Sequence, residues 1–219
     1  VTYPLPMFPL GTVLFPEACL PLHVFEERYQ ALIAHCLGGG LEFGVVLISR
    51  GSEVGGGDLR TDVGTVARIA NVADLGDGRL LVVATGMRRI RVEGWLPDAP
   101  YPQAEVEDLP VGRCANCTPA LEGAEAAVRR LRWLLSELED VPPLPPQLQI
   151  CGDPEQIGWQ LCDMAPLTAM DQQRLLATPD LGDRMALLAE LCDALAADVT
   201  GLLAGGAGGA GGAGGAGGA

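Results

Sequence analysis

Hydrophobic periodicity predicts an α+β fold, with a β-rich first half carrying one helix and a four-helix second half. Three observations carry this. Apolar residues up to about 117 come in short runs or strict alternation, broken by glycine and proline. From about residue 118 their spacing changes to three and four, the signature of helices buried on one face. The hydrophobic fraction is 48% against 19% charged, enough apolar side chain for a packed core. The expected divisions are 1–117, β-rich; 118–204, helical; and 205–219, five copies of Gly-Gly-Ala.

In the first half, Val13-Leu14-Phe15 and Leu20 to Val24 are short apolar runs punctuated by Pro9, Pro16 and Pro21. Phe25, Tyr29, Leu32 and Cys36 share one helical face, and Gly38-Gly39-Gly40 stops that helix. Phe43 to Ile48 is continuously apolar and suits a strand buried on both faces. A loose Gly51–Asp62 segment, centred on three glycines, follows. Gly64–Leu75 and Arg79–Thr85 read as strands joined by a Gly76-Asp77-Gly78 turn. Arg89–Glu93 alternates, with Ile90 and Val92 on one side and Arg89, Arg91 and Glu93 on the other. Tyr101–Leu109 alternates again through Ala104 and Val106. Several strands with short turns predict a barrel or folded-over sheet.

In the second half, Leu121, Ala124, Val128, Leu131, Leu135 and Leu138 form one helical stripe, with Glu125 and Arg129 paired four apart on another face. Pro142, Pro143, Pro145 and Pro146 end that helix. Asp153-Pro154 is a strong helix start, carrying Ile157, Leu161 and Met164 inward as far as Pro166. Thr168 and Asp171 resemble a capping box for a short helix to Ala177. Asp180 opens the last helix, with a stripe from Leu181 through Met185, Leu188, Cys192, Leu195 and Val199 to Leu202. The Gly-Gly-Ala repeats have no side chain able to bury a core and are expected to be disordered.

Composition excludes several chemistries. All 14 cations are arginine, so there is no lysine for a GxxxxGK[ST] phosphate loop, a Schiff base or a Ser-Lys dyad. The formal charge is −14, which disfavours nucleic acid; 14 acids face 9 arginines up to residue 117 (net −5) and 14 face 5 beyond it (net −9). Seven scattered cysteines do not form a secreted disulfide framework, and neither a signal peptide nor a membrane span is visible, so a reducing cytoplasm is expected.

Several blocks in order carry a family resemblance. Leu5-Pro6-Met7-Phe8-Pro9-Leu10-Gly11-Thr12-Val13-Leu14-Phe15-Pro16 and Leu20-Pro21-Leu22-His23-Val24-Phe25-Glu26-Glu27-Arg28-Tyr29 resemble the opening of the Lon protease N-terminal, substrate-binding domain family. Gly64 to Ile69, Asp77-Gly78-Arg79, Gly86 to Val92 and Tyr101 to Val106 continue the likeness, and so do the helices after Leu121. The resemblance spans about residues 5 to 203. It implies a PUA-like β-barrel-type half followed by a helical bundle, and recruitment of unfolded or damaged polypeptide. Within these 219 residues no ATPase or peptidase segment follows. The expectation is therefore a stand-alone bacterial member without catalytic residues, metal or cofactor. It would act as adaptor or holdase, with a separate protease or chaperone as further partner and neither nucleic acid nor membrane. Alternatives are a small-molecule or RNA-binding PUA-like module, or a structural domain with one fixed protein partner.

The candidate substrate-binding residues are Phe25, Glu26, Glu27, Arg28 and Tyr29, where the family enters its first helix; the two acids also suit a helix N-terminus. Cys114-Ala115-Asn116-Cys117 is a C-x-x-C without a second pair at metal-ligand spacing, and is expected to be chemically idle. His23 and His35 have no motif neighbours and are expected to be structural. The basic clusters Arg88-Arg89-Arg91 and Arg129-Arg130-Arg132 lack interleaved aromatics for base stacking.

Overall fold

A computed structural model describes residues 1–50, 59–76, 78–112, 116–138 and 141–207. Its elements run β1 (Thr2–Leu10), β2 (Cys19–Val24), α1 (Glu27–Gly38), β3 (Glu42–Arg50), β4 (Leu59–Asp74), β5 (Leu80–Leu96), β6 (Gln103–Asp108), α2 (Thr118–Ser136), α3 (Pro154–Met164), α4 (Ala169–Ala177) and α5 (Leu181–Ala207). The sheet order is β2-β5-β4-β3-β1-β6, and β5 also pairs with β6. That extra pairing closes β1, β3, β4, β5 and β6 into a barrel, with β2 laid along the first part of β5. The expected barrel is therefore present, and the mixed α+β architecture stands.

β1 is a strand despite three prolines. Met7 N–H donates to the Pro102 carbonyl at 2.8 Å, which sets the odd residues Tyr3, Leu5 and Met7 toward β6. Pro4 and Pro6 fall on the intervening positions, where the missing N–H costs no ladder bond. The segments expected as Arg79–Thr85 and Arg89–Glu93 are one strand, β5, bent by a register shift opposite Val66 and Ala67. Gly86 sits at the bend, and a Cβ there would lie 2.1 Å from the Phe15 carbonyl oxygen. The β4–β5 turn is closed by Leu75 N–H on the Arg79 carbonyl, with Gly76 and Gly78 both at φ +81°; Asp77 lies outside the described residues, as do 51–58 of the expected loose segment.

Two apolar cores result. Leu5, Met7, Val46, Val66, Ile90, Val92, Ala104 and Val106, one or more from each barrel strand, fill the interior. The second core lies between the barrel wall and the helices, and includes Phe8, Phe15, Phe43, Val45, Leu131, Trp159, Leu161 and Leu188. β3 thus feeds both cores from its two faces, as its uninterrupted apolar run predicts. The helices follow the expected stripes, with caps in place, except that Leu202 at the end of the α5 stripe is exposed. Asp153 and Gln156 form a reciprocal capping box on α3, and Thr168 accepts from the Asp171 N–H on α4. α2 ends at Ser136, leaving Leu138 exposed beyond it. α5 runs through the first Gly-Gly-Ala copy to Ala207, where the sequence predicted the tail to have begun; residues 208–219 lie outside the described residues. Among the described residues no helix is long and apolar enough to cross a membrane.

The halves are tied by buried polar contacts as well as by the shared core. Arg89, expected on the strand face opposite Ile90 and Val92, is only 4% exposed. It does share that face with Arg91 and Glu93, but the helical half covers the wall at this point. Its guanidinium donates to the carbonyls of Leu176 (3.1 Å), Thr178 (3.3 Å) and Pro110 (2.9 Å). Gln173 Nε2 donates to the Val63 carbonyl at 2.9 Å.

Candidate functional site

The five candidate residues lie at the entry to α1, but they do not play one role. Phe25 precedes the helix and is 59% exposed, so it is not on the buried face with Tyr29, Leu32 and Cys36; Ile33 completes that face instead. Glu26 is the N-cap residue and makes no side-chain cap bond. Its Oε2 instead accepts from Arg28 Nε at 2.9 Å. Glu27 is exposed in the first turn, where a negative charge meets the positive end of the helix dipole. Arg28 places its guanidinium 4.5 Å from the centre of the Tyr29 ring. Tyr29 itself is buried, 4% exposed, and stacks on Phe8 with ring centres 4.0 Å apart and planes 9° apart.

These residues bound a groove of about 180 Å³ lined by Phe8, Leu10, Leu22, Val24, Phe25 and Tyr29, together with Pro21, His23 and Glu26. Phe8 and Leu10 come from β1, Pro21, Leu22, His23 and Val24 from β2, Phe25 and Glu26 from the connection that follows, and Tyr29 from α1. Gln30 fixes the lip: its Nε2 donates to the Phe25 carbonyl at 3.2 Å and to the Gly78 carbonyl of the β4–β5 turn. Sequence reasoning located the lip and missed the floor, because Phe8 and Leu10 come from a proline-rich segment without strand periodicity. The opening Phe8-Pro9-Leu10 block was part of the resemblance but carried no spatial signal linking it to Tyr29.

A second pocket, of about 220 Å³, opens where barrel and helices meet, lined in part by Glu17, Arg89, Glu155 and Trp159. Most of its charged groups are committed to partners outside the lining: Arg88 to Glu42 and Asp108, Arg89 to main-chain carbonyls, and Glu155 to Arg184. Arg184, fully buried behind it, binds Glu155 Oε1 at 2.6 Å and lies 3.6 Å from the Trp159 ring centre.

Both histidines are exposed, and His35 leans on the Tyr101 ring at 5.9 Å. Cys117 is buried and disulfide-bonded, unlike the idle loop thiol expected; Cys114 lies outside the described residues. Burial pushes the Cys36 thiol up to about 11 and, chiefly by the same cause, Cys162 and Cys192 up to about 12. Among the described residues no group of three or more His, Cys, Asp or Glu could hold a metal ion. Apart from exposed Arg91, the arginine clusters are engaged in the fold. Arg88 binds Glu42, Asp108 and the Tyr3 hydroxyl. Arg129 binds Glu125 and two carbonyls, Arg130 binds Asp193, and Arg132 holds the carbonyls of Pro142 and Met164.

A family model described as the ATP-dependent protease La (LON) substrate-binding domain matches residues 4–194. Lon protease 2 of Myxococcus xanthus is 30% identical over 192 residues, which are 85% of this chain and 23% of that protein. The crystal structure of a Lon N-terminal domain protein from Xanthomonas campestris matches with a TM-score of 0.62 and 27% identity, covering 85% of this chain and 96% of that one. The N-terminal domain of a Mycobacterium avium complex Lon protease matches in fold, with a TM-score of 0.60 at 18% identity over 87% of this chain and 98% of that one. The chain thus spans about 23% of the length of the Myxococcus xanthus Lon protease 2.

Proposed function

Because the chain belongs to the ATP-dependent protease La (LON) substrate-binding domain family, we propose that it is a non-catalytic module that binds exposed apolar segments of unfolded polypeptide at the Phe25 groove. It acts as an adaptor to a separate protease or chaperone, or as a holdase, and uses no cofactor or nucleotide. The observation that carries this reading is Phe25: a large apolar side chain, 59% exposed, at the lip of an apolar groove, on a main chain whose carbonyl accepts from Gln30. An exposed aromatic that rims an apolar groove gives a partner contiguous apolar surface to bury. The pairing of most clustered arginines with acids or carbonyls favours polypeptide over RNA, which needs free cations facing its phosphates.

Burying apolar surface yields about 25 cal/mol per Å², against which stands the entropic cost of association. One small groove therefore binds in the micromolar range or more weakly, with a free energy no more favourable than about −8 kcal/mol. The test is titration of a fluorescently labelled unfolded protein at low and high salt. Saturable binding that survives salt and weakens about tenfold in Phe25→Ser supports the proposal. No saturable binding at either salt by the folded chain leaves the fixed-partner reading ahead. The pure chain is expected to hydrolyse neither ATP nor casein, and ATP-dependent casein degradation overturns the non-catalytic reading.

A further inference from the structure

The groove has a main-chain wall whose chemistry is more specific than its apolar lining. β2 pairs with β5 on one side, and among the described residues nothing pairs with its other side. Gly86 N–H donates to the Ala18 carbonyl at 2.9 Å, and the register continues Leu20↔Ala84, Leu22↔Val82 and Val24↔Leu80. The even residues therefore turn their main-chain groups to β5, and Cys19, Pro21 and His23 turn theirs outward. Pro21 is tolerated because its absent N–H faces away from the ladder. Pro21, Leu22, His23 and Val24 all line the groove although successive side chains point to opposite faces, so the groove runs along this open edge. Phe8, Leu10 and Tyr29, the floor, are already nearly buried, at 7%, 7% and 4% exposure. Further apolar burial there is small, and affinity needs another source.

We propose that the open edge of β2 takes up an extended polypeptide segment as an added strand, with apolar side chains two residues apart seated over Phe8, Leu10 and Tyr29. This rests on the reading of the chain as a polypeptide binder and names the substrate class: extended segments of period-two apolarity, not amphipathic helices. The edge offers two donors, the N–H groups of Cys19 and His23, and three acceptors, the carbonyls of Cys19, Pro21 and His23. Incoming residues opposite these three exchange main-chain hydrogen bonds and point to the exposed side. Those opposite Leu20 and Leu22 point to the floor. Charge complementarity selects a client over a second copy of the chain. Two copies, each at −14, repel, whereas a neutral or basic segment does not, and the exposed carboxylate of Glu27 beside the groove favours a Lys or Arg flanking the apolar pair.

The test is an N-methyl scan of a labelled ten-residue peptide of alternating valine and threonine ending in lysine, titrated against the full chain. Methylation is expected to weaken binding about tenfold at every second position and less than about twofold at the positions between. His23→Pro, which deletes one outward N–H and no ladder bond, is expected to weaken binding about tenfold with an unchanged melting temperature, while His23→Ala stays within about twofold. If His23→Pro fails to fold, the methyl scan on the unaltered chain still decides. Saturable binding that is insensitive to methylation but lost in Phe25→Ser overturns strand addition and leaves the groove reading standing. Absence of saturable binding of both this peptide and unfolded protein overturns both. A concentration-dependent dimer that His23→Pro dissociates, with no peptide bound, assigns the edge to a second copy and overturns the proposal.

Discussion

Arg184 in α5 offers the sharpest energetic test of how the helical half is held. It is fully buried, pairs with Glu155 of α3 at 2.6 Å, donates to the Thr178 carbonyl at 3.2 Å and stacks on Trp159. Arg184→Met removes one partner and leaves a carboxylate with little access to water, since the Glu155 side chain is only 19% exposed. Breaking a buried pair in this way costs about 3–5 kcal/mol. The pair itself is imperfect: among the described residues Arg184 Nε and Glu155 Oε2 have no hydrogen-bond partner. Each such group costs about 1–3 kcal/mol, which offsets much of the attraction. The double replacement Arg184→Met with Glu155→Leu should therefore lose far less than the single one, within about 1.5 kcal/mol of the unaltered chain. The assay is urea unfolding of both singles and the double, with the slope checked for constancy so that midpoints report stability. A loss under about 1 kcal/mol for Arg184→Met, or a double variant as unstable as the sum of the singles, refutes the reasoning.

Gly86→Ala should destabilise by about 3 kcal/mol, because the new methyl would meet the Phe15 carbonyl, a main-chain atom, at 2.1 Å; a midpoint near that of the unaltered chain would show that the 11–18 loop yields. Residues 1–117 alone should fold poorly, since the cut removes the Leu176 and Thr178 carbonyls from buried Arg89 and Trp159 from Phe15; sharp, dispersed NMR spectra of that fragment would argue for two independent domains. Exposed Cys19 and Cys151 should alkylate at pH 8, while Cys36, Cys162 and Cys192 stay protected until urea opens the fold, as read by mass spectrometry. Those buried thiols also make stability fall in alkali. Their folded values, about 11 to 12, exceed the unfolded value near 8.5, so the contribution is complete below about pH 8.5 and is lost as pH rises toward 12. Cys162→Ala with Cys192→Ala should flatten that decline, and an unchanged slope would assign it to other groups.

How far the sequence could be read depended on the range of each interaction. Period and capping are local, and they located β3, the β4–β5 hairpin and all four helices after residue 118, including the Asp153 and Thr168 caps. The missing lysine is a property of the sequence alone, and it excludes nucleotide-loop chemistry for these residues without any structure. The order of the family blocks identified the fold. β1 was hidden because three prolines argue against a strand until the parity of its partner is known. β5 was split because Gly86 looks like a break until the Phe15 loop that needs its missing Cβ is in place.

At the candidate groove the sequence marked Phe25 to Tyr29, and tertiary structure assigned the roles. Phe25 is exposed because the chain turns into α1 after it, and Tyr29 is buried because Phe8, more than twenty positions earlier, stacks on it. Arg89 shares a strand face with exposed Arg91, yet it is buried because helices distant in sequence close over that part of the wall. Local sequence determines which way a side chain points along its own strand or helix. Whether water or another element meets it is decided by segments remote in the chain, whose positions depend on the summed burial of the whole core and are encoded at no single residue.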